Sequence, residues 1–246
     1  MRPWSTGVGL CMLAVSLGGA SSARAQETEP GYDLEVGYEY SNHYIFHGVD
    51  VLDGEPTPTS RVIFTKGGLS TYYYGYYSQI GHGGPDLEEH DFGADYTFTW
   101  GKLDLTLGGV AYTYRQPGDW EDVTEAYAIA SLDVRFAPTF TAVQELESGG
   151  RYLCLGVSHE LPLWRDRLIL DLGTTVAYDV GYWSEVFELE QRRGWSDLLF
   201  RTGLTWKVAG ALNVYASVQQ SVSLEILDAA GQEDETTYSV GTTLDF

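Results

Sequence analysis

The last eleven residues of the chain, 236-TTYSVGTTLDF-246, alternate strictly between two kinds of side chain. The first set is mostly apolar or aromatic and comprises Tyr238, Val240, Thr242, Leu244 and Phe246. The second set is small or polar and comprises Ser239, Gly241, Thr243 and Asp245. A period of two predicts a β-strand with one apolar face. The C-termini of soluble domains are usually frayed and polar, so an apolar strand that runs to Phe246 indicates a different kind of fold.

The N-terminus has the three-part pattern of an export signal. Arg2 gives it a basic start, residues 8–17 are apolar, and residues 23–25 match the small-x-small site of signal peptidase. The apolar run is shorter than the roughly 20 residues that a membrane-spanning helix requires. The sequence therefore predicts a removed signal peptide over residues 1–25 and a mature domain over residues 26–246.

Charge and cysteine content narrow the possible functions. The chain has 14 basic and 35 acidic residues, a net charge of −21, and such a protein repels nucleic acid. Cys11 lies in the predicted signal peptide, so Cys154 has no partner for an internal disulfide. We expect no nucleic-acid partner and no cofactor.

Alternating patterns recur along the mature chain, from Tyr32 onward. The clearest lies over residues 212–224, and less regular ones lie over residues 124–135, 140–147 and 151–161. Each pattern is about ten residues long, which suits a tilted strand crossing a bilayer and exceeds the five or six residues usual in a soluble β-sandwich. Short connections alternate with long polar ones, which cover residues 47–57, 82–90, 116–123, 181–195 and 225–235.

These features predict an all-β fold, a transmembrane antiparallel up-and-down β-barrel of about 12 strands in the bacterial outer membrane. The register between residues 116 and 160 is left open, because residues 148–150 form a short connection where a long one is due.

A barrel also explains the apolar C-terminus. Every backbone donor and acceptor inside a bilayer needs a partner within the protein, so the last strand must close on the first. The end of the chain also resembles the C-terminal signal read by the outer-membrane assembly machinery, with Tyr238, Val240, Leu244 and Phe246 at the matching positions. We therefore expect that machinery, outer-membrane lipid and lipopolysaccharide as partners.

Aromatic residues gather near the predicted strand ends. Those near the short connections are Trp100, Phe136, Trp164, Trp206 and Phe246. Those towards the long loops are Tyr44, Phe46, Tyr112, Tyr114, Tyr178, Trp183 and Trp195. We expect two aromatic girdles, one at each membrane interface.

The segment 41-SNHYIFHGVDVLDGEPT-57 resembles the opening of the TorF-type porin family of Gram-negative outer-membrane proteins. The matching residues are Ser41, Asn42, Tyr44, Phe46, Gly48, Asp53, Gly54 and Pro56, while His47 stands where the family usually has arginine. A second stretch, residues 104–131, has the family's strand ending in tyrosine, its Pro-Gly loop and its Thr-Glu-x-Tyr start to the next strand. The resemblance implies a pore.

If the apolar residues face lipid, the alternate residues face the lumen. We expect the channel to be lined by Asp33, Glu35, Glu39, Arg61, Asp95, Asp104, Glu125, Asp171, Asp179 and Arg201, with Lys207 as a further cation. One interpretation is a narrow acid-lined channel for cations or small polar solutes. The other is a lumen plugged by its own paired side chains. The carboxylates outnumber the cations and unpaired buried charge is costly, so we expect water inside.

Three further hypotheses remain open. A structural or adhesive barrel would act through its loops rather than its lumen. An outer-membrane lipid hydrolase would need a nucleophile and a base, for which Ser41 and His43 are the nearest candidates, whereas Ser158 and His159 fall on opposite faces of a strand. The segment 82-HGGPDLEEHD-91 could bind a divalent metal through His82, Glu88, Glu89, His90 and Asp91, but solvation of an acidic loop is the favoured explanation. We expect neither an enzyme nor a metal site.

Overall fold

The computed structural model describes residues 31–52, 54–77, 88–115 and 122–246. They form a closed antiparallel barrel of twelve strands, which confirms the predicted fold class. The predicted signal peptide lies outside the described residues. Among the residues described, no helix is long and apolar enough to cross a membrane.

The strands in chain order are β1 (Asp33–Ser41), β2 (Ile45–Phe46), β3 (Val49–Asp50), β4 (Thr57–Lys66), β5 (Leu69–Tyr77), β6 (Glu88–Trp100), β7 (Leu103–Tyr114), β8 (Val123–Leu132), β9 (Thr139–Glu145), β10 (Arg151–Leu163), β11 (Leu168–Val180), β12 (Arg193–Ala209), β13 (Leu212–Ser223) and β14 (Glu235–Asp245). The connections contain a 3-10 turn (Trp164–Asp166) and two short helices, α1 (Trp183–Val186) and α2 (Glu225–Ala229). Strands β2 and β3 pair only with each other, and the remaining twelve close the barrel.

Strand β14 closes the barrel against β1, with Leu244 opposite Val36 and Val240 opposite Tyr40. Beyond the strand, Leu34 N donates to Phe246 O at 3.1 Å and Phe246 N donates to Leu34 O at 2.9 Å. Backbone pairing therefore continues to Phe246, as the need to satisfy every backbone group in a bilayer requires.

Alternation places apolar side chains outside and polar or small ones inside. In β1, Val36, Tyr38 and Tyr40 are exposed, whereas Gly37 and Ser41 are buried. The predicted assembly signal lies on this outer wall, where its four side chains are all exposed: Tyr238, Val240, Leu244 and Phe246. Its recognition by an assembly machinery stays a prediction.

Of the two predicted aromatic girdles, the one near the short turns agrees with the structure and the one towards the long loops mostly does not. The five aromatic side chains near the short turns are exposed, as expected: Trp100, Phe136, Trp164, Trp206 and Phe246. At the opposite end Trp195 is exposed and packs edge-on against Tyr178. The prediction was wrong for the others, because they lie inside the barrel: Tyr44, Phe46, Tyr112 and Trp183 are fully buried, and Tyr114 packs against the same cluster.

The predicted strand over residues 124–135 ends at Leu132 instead. Asp133 N still donates to Lys102 O at 2.7 Å, which extends the pairing with β7 by one residue. Bonds from Val134 N to Leu132 O at 2.9 Å and from Ala137 N to Val134 O at 2.8 Å then turn the chain back towards β9. The short connection after Glu145 lies at the same end of the barrel as the longer loops.

Several inward tyrosines lie flat over glycines of the neighbouring strand. A side chain at Gly93 would collide with the ring of Tyr72, whereas one at Gly173 would lie 3.6 Å from Val157 O, an ordinary contact. Gly93→Ala is therefore expected to lower the free energy of unfolding by about 1–3 kcal/mol through overpacking. Gly173→Ala, the matched control, should not lower it. Urea midpoints of the two variants in detergent micelles compare them, and equal midpoints would contradict the close packing.

Candidate functional site

A two-stranded hairpin folds back from the barrel rim into the lumen. It consists of β2 and β3, with Phe46 opposite Val49, and we call residues 44–52 the plug hairpin. Its two turn residues, His47 and Gly48, both have positive φ (43° and 84°), as a tight hairpin turn of this type requires. Glycine is needed at position 48 for a second reason, because a Cβ there would lie 2.8 Å from the Cβ of Asp197 on the barrel wall.

The plug hairpin forms one apolar cluster with both short helices and the upper inner wall. Its contributions, Tyr44, Phe46, Val49 and Leu52, are buried together with Trp183 of α1 and with Ile226 and Leu227 of α2. Phe46 meets Trp183 edge-on with ring centroids 5.5 Å apart, and Tyr44 stacks on Tyr76 of β5 at 5.0 Å. The long-loop end of the described barrel is therefore filled by packed aromatic and aliphatic side chains.

Hydrogen bonds connect the plug hairpin to three different parts of the barrel. Tyr44 Oη donates to Glu89 Oε1 at 2.8 Å. Trp183 Nε1 donates to His47 O at 3.0 Å, and Ser221 Oγ donates to Gly48 O at 3.4 Å. Since a buried carbonyl without a partner is costly, the last two bonds stabilise the inserted turn.

The imidazole of His47 is part of the apolar packing. Its ring lies 4.0 Å from the ring of Tyr152, centroid to centroid. Burial lowers the pKa of His47 to about 3, so the side chain is neutral at neutral pH. A neutral ring can occupy this position without a counter-ion.

Two predicted lining residues are buried by the segment around α1 rather than exposed to solvent. Asp179 is buried and accepts hydrogen bonds from Trp183 N at 2.6 Å and from Ser184 Oγ at 3.0 Å, so it caps α1. Glu125 is also buried and accepts hydrogen bonds from Tyr112 at 3.3 Å and from Tyr182. A channel role for either carboxylate stays a prediction, and it requires α1 and Tyr182 to move.

Below the plug the inward side chains are polar and partly exposed. Arg61 Nε donates to Glu35 Oε1 at 2.5 Å, and its Nη1 donates to Tyr215 at 3.2 Å. These contacts join β1, β4 and β13 across the inner wall.

The remaining predicted lining residues lie farther around the same wall. Asp95 accepts a hydrogen bond from Tyr127 at 2.9 Å. Asp171 of β11 lies directly opposite Glu160 of β10. Arg201 of β12 lies opposite Gly173, which is two residues after Asp171 on β11. Of the others, Asp104 is partly buried, whereas Asp33 and Lys207 are exposed at strand ends.

Sequence reasoning missed several inward carboxylates, above all Glu89 and Asp91. The sequence pattern places both in the acidic segment over residues 82–91, of which residues 82–87 lie outside the described residues. They instead belong to β6 and are buried in the lumen, while alternation turns Glu88 and His90 to the outer side. His90 Nε2 pairs there with Glu88 at 2.9 Å. The four residues of this segment that the structure describes therefore form two pairs on opposite faces of the strand and do not converge on one point.

The nucleophile and base considered for a hydrolase are engaged elsewhere. Ser41 Oγ donates to Thr57 O at 3.3 Å, and His43 Nδ1 lies 2.7 Å from Asp50 Oδ2. On β10, Ser158 and His159 do occupy opposite faces, and His159 packs against Phe136. These contacts give no support to a serine nucleophile at either position.

A comparison with protein-family models gives no match, and neither does a comparison with curated protein sequences. Among solved structures, the chain is similar to the KdgM porin, with a TM-score of 0.57 and 11% identity over 86% of this chain and 99% of that one. KdgM has also been solved in complex with disordered oligogalacturonate.

Two further channels have comparable folds. The NanC porin has a TM-score of 0.51 and 9% identity, covering 87% of this chain and 99% of its own. The COG4313 outer membrane channel from Pseudomonas putida F1 has a TM-score of 0.51 and 11% identity, covering 89% and 97%. The chain therefore has the fold of outer-membrane porins.

Proposed function

We propose that this protein is an outer-membrane channel that conducts cations or small polar solutes and is closed at its long-loop end by the plug hairpin. The observation that carries the proposal is the inner wall below the plug, where carboxylates outnumber cations. Among the described residues the carboxylates there are Glu35, Glu39, Asp95, Asp104, Glu160 and Asp171, and the cations are Arg61 and Arg201, with Asp33 and Lys207 at the strand ends of the same wall. Membership of the TorF-type family stays a prediction alongside this proposal.

The charge balance of the wall supports a hydrated lumen below the plug. Arg61 neutralises Glu35, but Asp95 has a neutral tyrosine as its partner. The Oδ1 atom of Asp104 is buried without a hydrogen-bond partner among the described residues. An uncompensated carboxylate is costly unless water or a cation contacts it, so water and mobile cations fill this space in the proposed channel.

The negative charge of the inner wall also limits which solutes can pass through the channel. Oligogalacturonate, seen with KdgM, is a polyanion, and a wall rich in carboxylates repels polyanions. We therefore propose cations or small uncharged polar molecules as the permeant species, in spite of the shared fold.

Reversal potentials under a KCl gradient in planar bilayers, recorded in the Phe46→Ala background that is expected to open the plug, test the selectivity. Potassium is expected to permeate better than chloride at 0.1 M, and the preference should weaken at 1 M, because screening shortens the reach of a charge from about 10 Å to about 3 Å. The double variant Glu160→Gln with Asp171→Asn should move the reversal potential towards zero at both concentrations. These two residues face each other on the wall.

The matched control neutralises two exposed loop carboxylates, Glu185 and Glu190, and should have an effect at 0.1 M that disappears at 1 M. Chloride permeability equal to or above that of potassium at 0.1 M would exclude a cation channel.

The packed plug favours a second candidate, a structural or adhesive barrel that never opens. A barrel of this kind predicts that no variant of the plug hairpin raises conductance, and Phe46→Ala tests this expectation. In either case we propose the outer membrane as the location, with outer-membrane lipid and lipopolysaccharide around the barrel and the assembly machinery as a partner during insertion.

A further inference from the structure

Three side chains that bind metals converge where the plug hairpin meets the closing strand. His43 lies between β1 and the hairpin, Asp50 ends β3, and Glu235 begins β14. His43 Nδ1 is 2.7 Å from Asp50 Oδ2 and 3.6 Å from Glu235 Oε2. One donor atom from each residue lies within 4.8 Å of the other two.

We propose that His43, Asp50 and Glu235 bind a divalent transition-metal ion of the zinc class, which ties the plug hairpin to the barrel wall. The proposal concerns metal binding and does not depend on whether the barrel conducts.

The donor set suits such an ion, and a small shift of one ligand brings the spacing to it. Zinc binds histidine nitrogen and carboxylate oxygen at about 2.0–2.2 Å in a tetrahedral site, so two ligands of one ion stand roughly 3.3–3.6 Å apart. The separation of His43 from Glu235, 3.6 Å, fits that range, whereas the 2.7 Å separation from Asp50 has to widen when the ion binds. Imidazole is a poor ligand for magnesium and calcium, which prefer oxygen, so these ions are not expected to bind tightly.

Neighbouring hydrogen bonds hold the ligands in place before any ion binds. Asp50 accepts hydrogen bonds from Leu52 N at 3.2 Å and from Gly54 N at 2.8 Å. Bonds of this kind orient a metal ligand and reduce the cost of ordering it.

Asn42 fixes the other side of the site. Its backbone N donates to Tyr238 O at 3.1 Å, and its side chain bonds Thr236 O at 3.3 Å and Tyr238 N at 2.5 Å. Because Asn42 precedes His43 and Thr236 follows Glu235, these bonds hold two of the three ligands in register.

The site is accessible and negatively charged. The side chains of His43, Asp50 and Glu235 are 21%, 8% and 25% exposed, so an ion can enter from solution. Two of the three ligands are carboxylates, and a divalent cation neutralises their negative charge.

Calorimetric titration of the folded, detergent-purified barrel with Zn²⁺ at pH 7.5 tests the proposed site. We expect one zinc per chain, with at least tenfold weaker binding in His43→Gln and in Glu235→Gln. The controls His90→Gln and Glu233→Gln should bind as the wild type does, since His90 belongs to the separate pair with Glu88 and Glu233 is exposed.

Hydrogen exchange of residues 42–52 gives a second readout. At a free zinc concentration 100 times the dissociation constant, opening of the plug hairpin should become about 100-fold rarer in the wild type. In Glu235→Gln the same zinc concentration should reduce opening by about tenfold or less. Glu235 is a partly exposed residue at a strand end, so this variant keeps the test valid even if His43→Gln fails to fold.

Absence of zinc binding to the wild type would overturn the proposal, and so would undiminished binding in Glu235→Gln. Neither result would bear on ion selectivity, which depends on the wall below the plug.

Discussion

Phe46→Ala is expected to convert a closed barrel into one that conducts. The Phe46 ring is fully buried against Trp183 in the closed state and would be solvated once the plug hairpin leaves the lumen. Truncating a buried phenylalanine costs about 3–5 kcal/mol. Since about 1.4 kcal/mol changes an equilibrium constant tenfold, the ratio of open to closed barrels should rise by two to three orders of magnitude. Single-channel recording in planar bilayers measures this ratio as an open probability.

The matched control is Phe200→Ala. Phe200 is an aromatic residue of the same size on the outer wall, where it is 48% exposed. It contributes nothing to the plug, so its truncation should leave the open probability unchanged. Trp183→Ala should act as Phe46→Ala does, because it removes the opposite side of the same contact. If neither Phe46→Ala nor Trp183→Ala raises the open probability, more than the plug hairpin closes the barrel. That result would favour a structural or adhesive barrel that never opens.

The strand faces could be predicted from sequence because alternation is a local property. Val36, Tyr38 and Tyr40 each have a polar or small neighbour on either side. Contact with lipid is favourable for apolar and aromatic side chains, so all three are expected on the outer wall. The same reasoning extends to Phe246, whose backbone bonds with Leu34 follow from the need to close the sheet.

The plug could not be predicted in the same way, because an aromatic residue suits lipid and a packed lumen equally well. Tyr44, Phe46 and Trp183 were assigned to a membrane girdle for that reason. Their position depends on contacts between segments more than 130 residues apart, such as Trp183 Nε1 with His47 O. One local signal was present: the segment 45-IFHGVD-50 has a two-residue turn with glycine between apolar residues, which is typical of a tight hairpin.

For the carboxylates, too, the direction of the side chain could be predicted from sequence but its surroundings could not. Alternation predicted that Glu35 and Asp171 point inward, but it does not distinguish a solvated wall from a buried network. Asp179 and Glu125 belong to the network because α1 and Tyr182 fold over them. Glu89 and Asp91 were missed because we placed the start of β6 after them, and strand ends are the least certain part of any alternating pattern.

Lysine at Val218 is expected to destabilise the barrel far more than lysine at Ser217. The two residues are neighbours near the middle of β13, where Val218 is 43% exposed on the outer wall. Lysine on the lipid face at mid-bilayer costs about 2–4 kcal/mol.

Ser217 points inward, and its hydroxyl lies 2.7 Å from that of Ser239. Lysine there would forfeit this hydrogen bond, worth about 1 kcal/mol, while its ammonium group would enter a wall rich in carboxylates. Urea unfolding in lipid vesicles measures both free energies, with Val218→Ala and Ser217→Ala as the truncations that separate lost contacts from added charge. Equal costs for the two lysines would mean that lipid does not cover the outer wall at this height, and a larger cost at Ser217 would mean that the inner wall is dry.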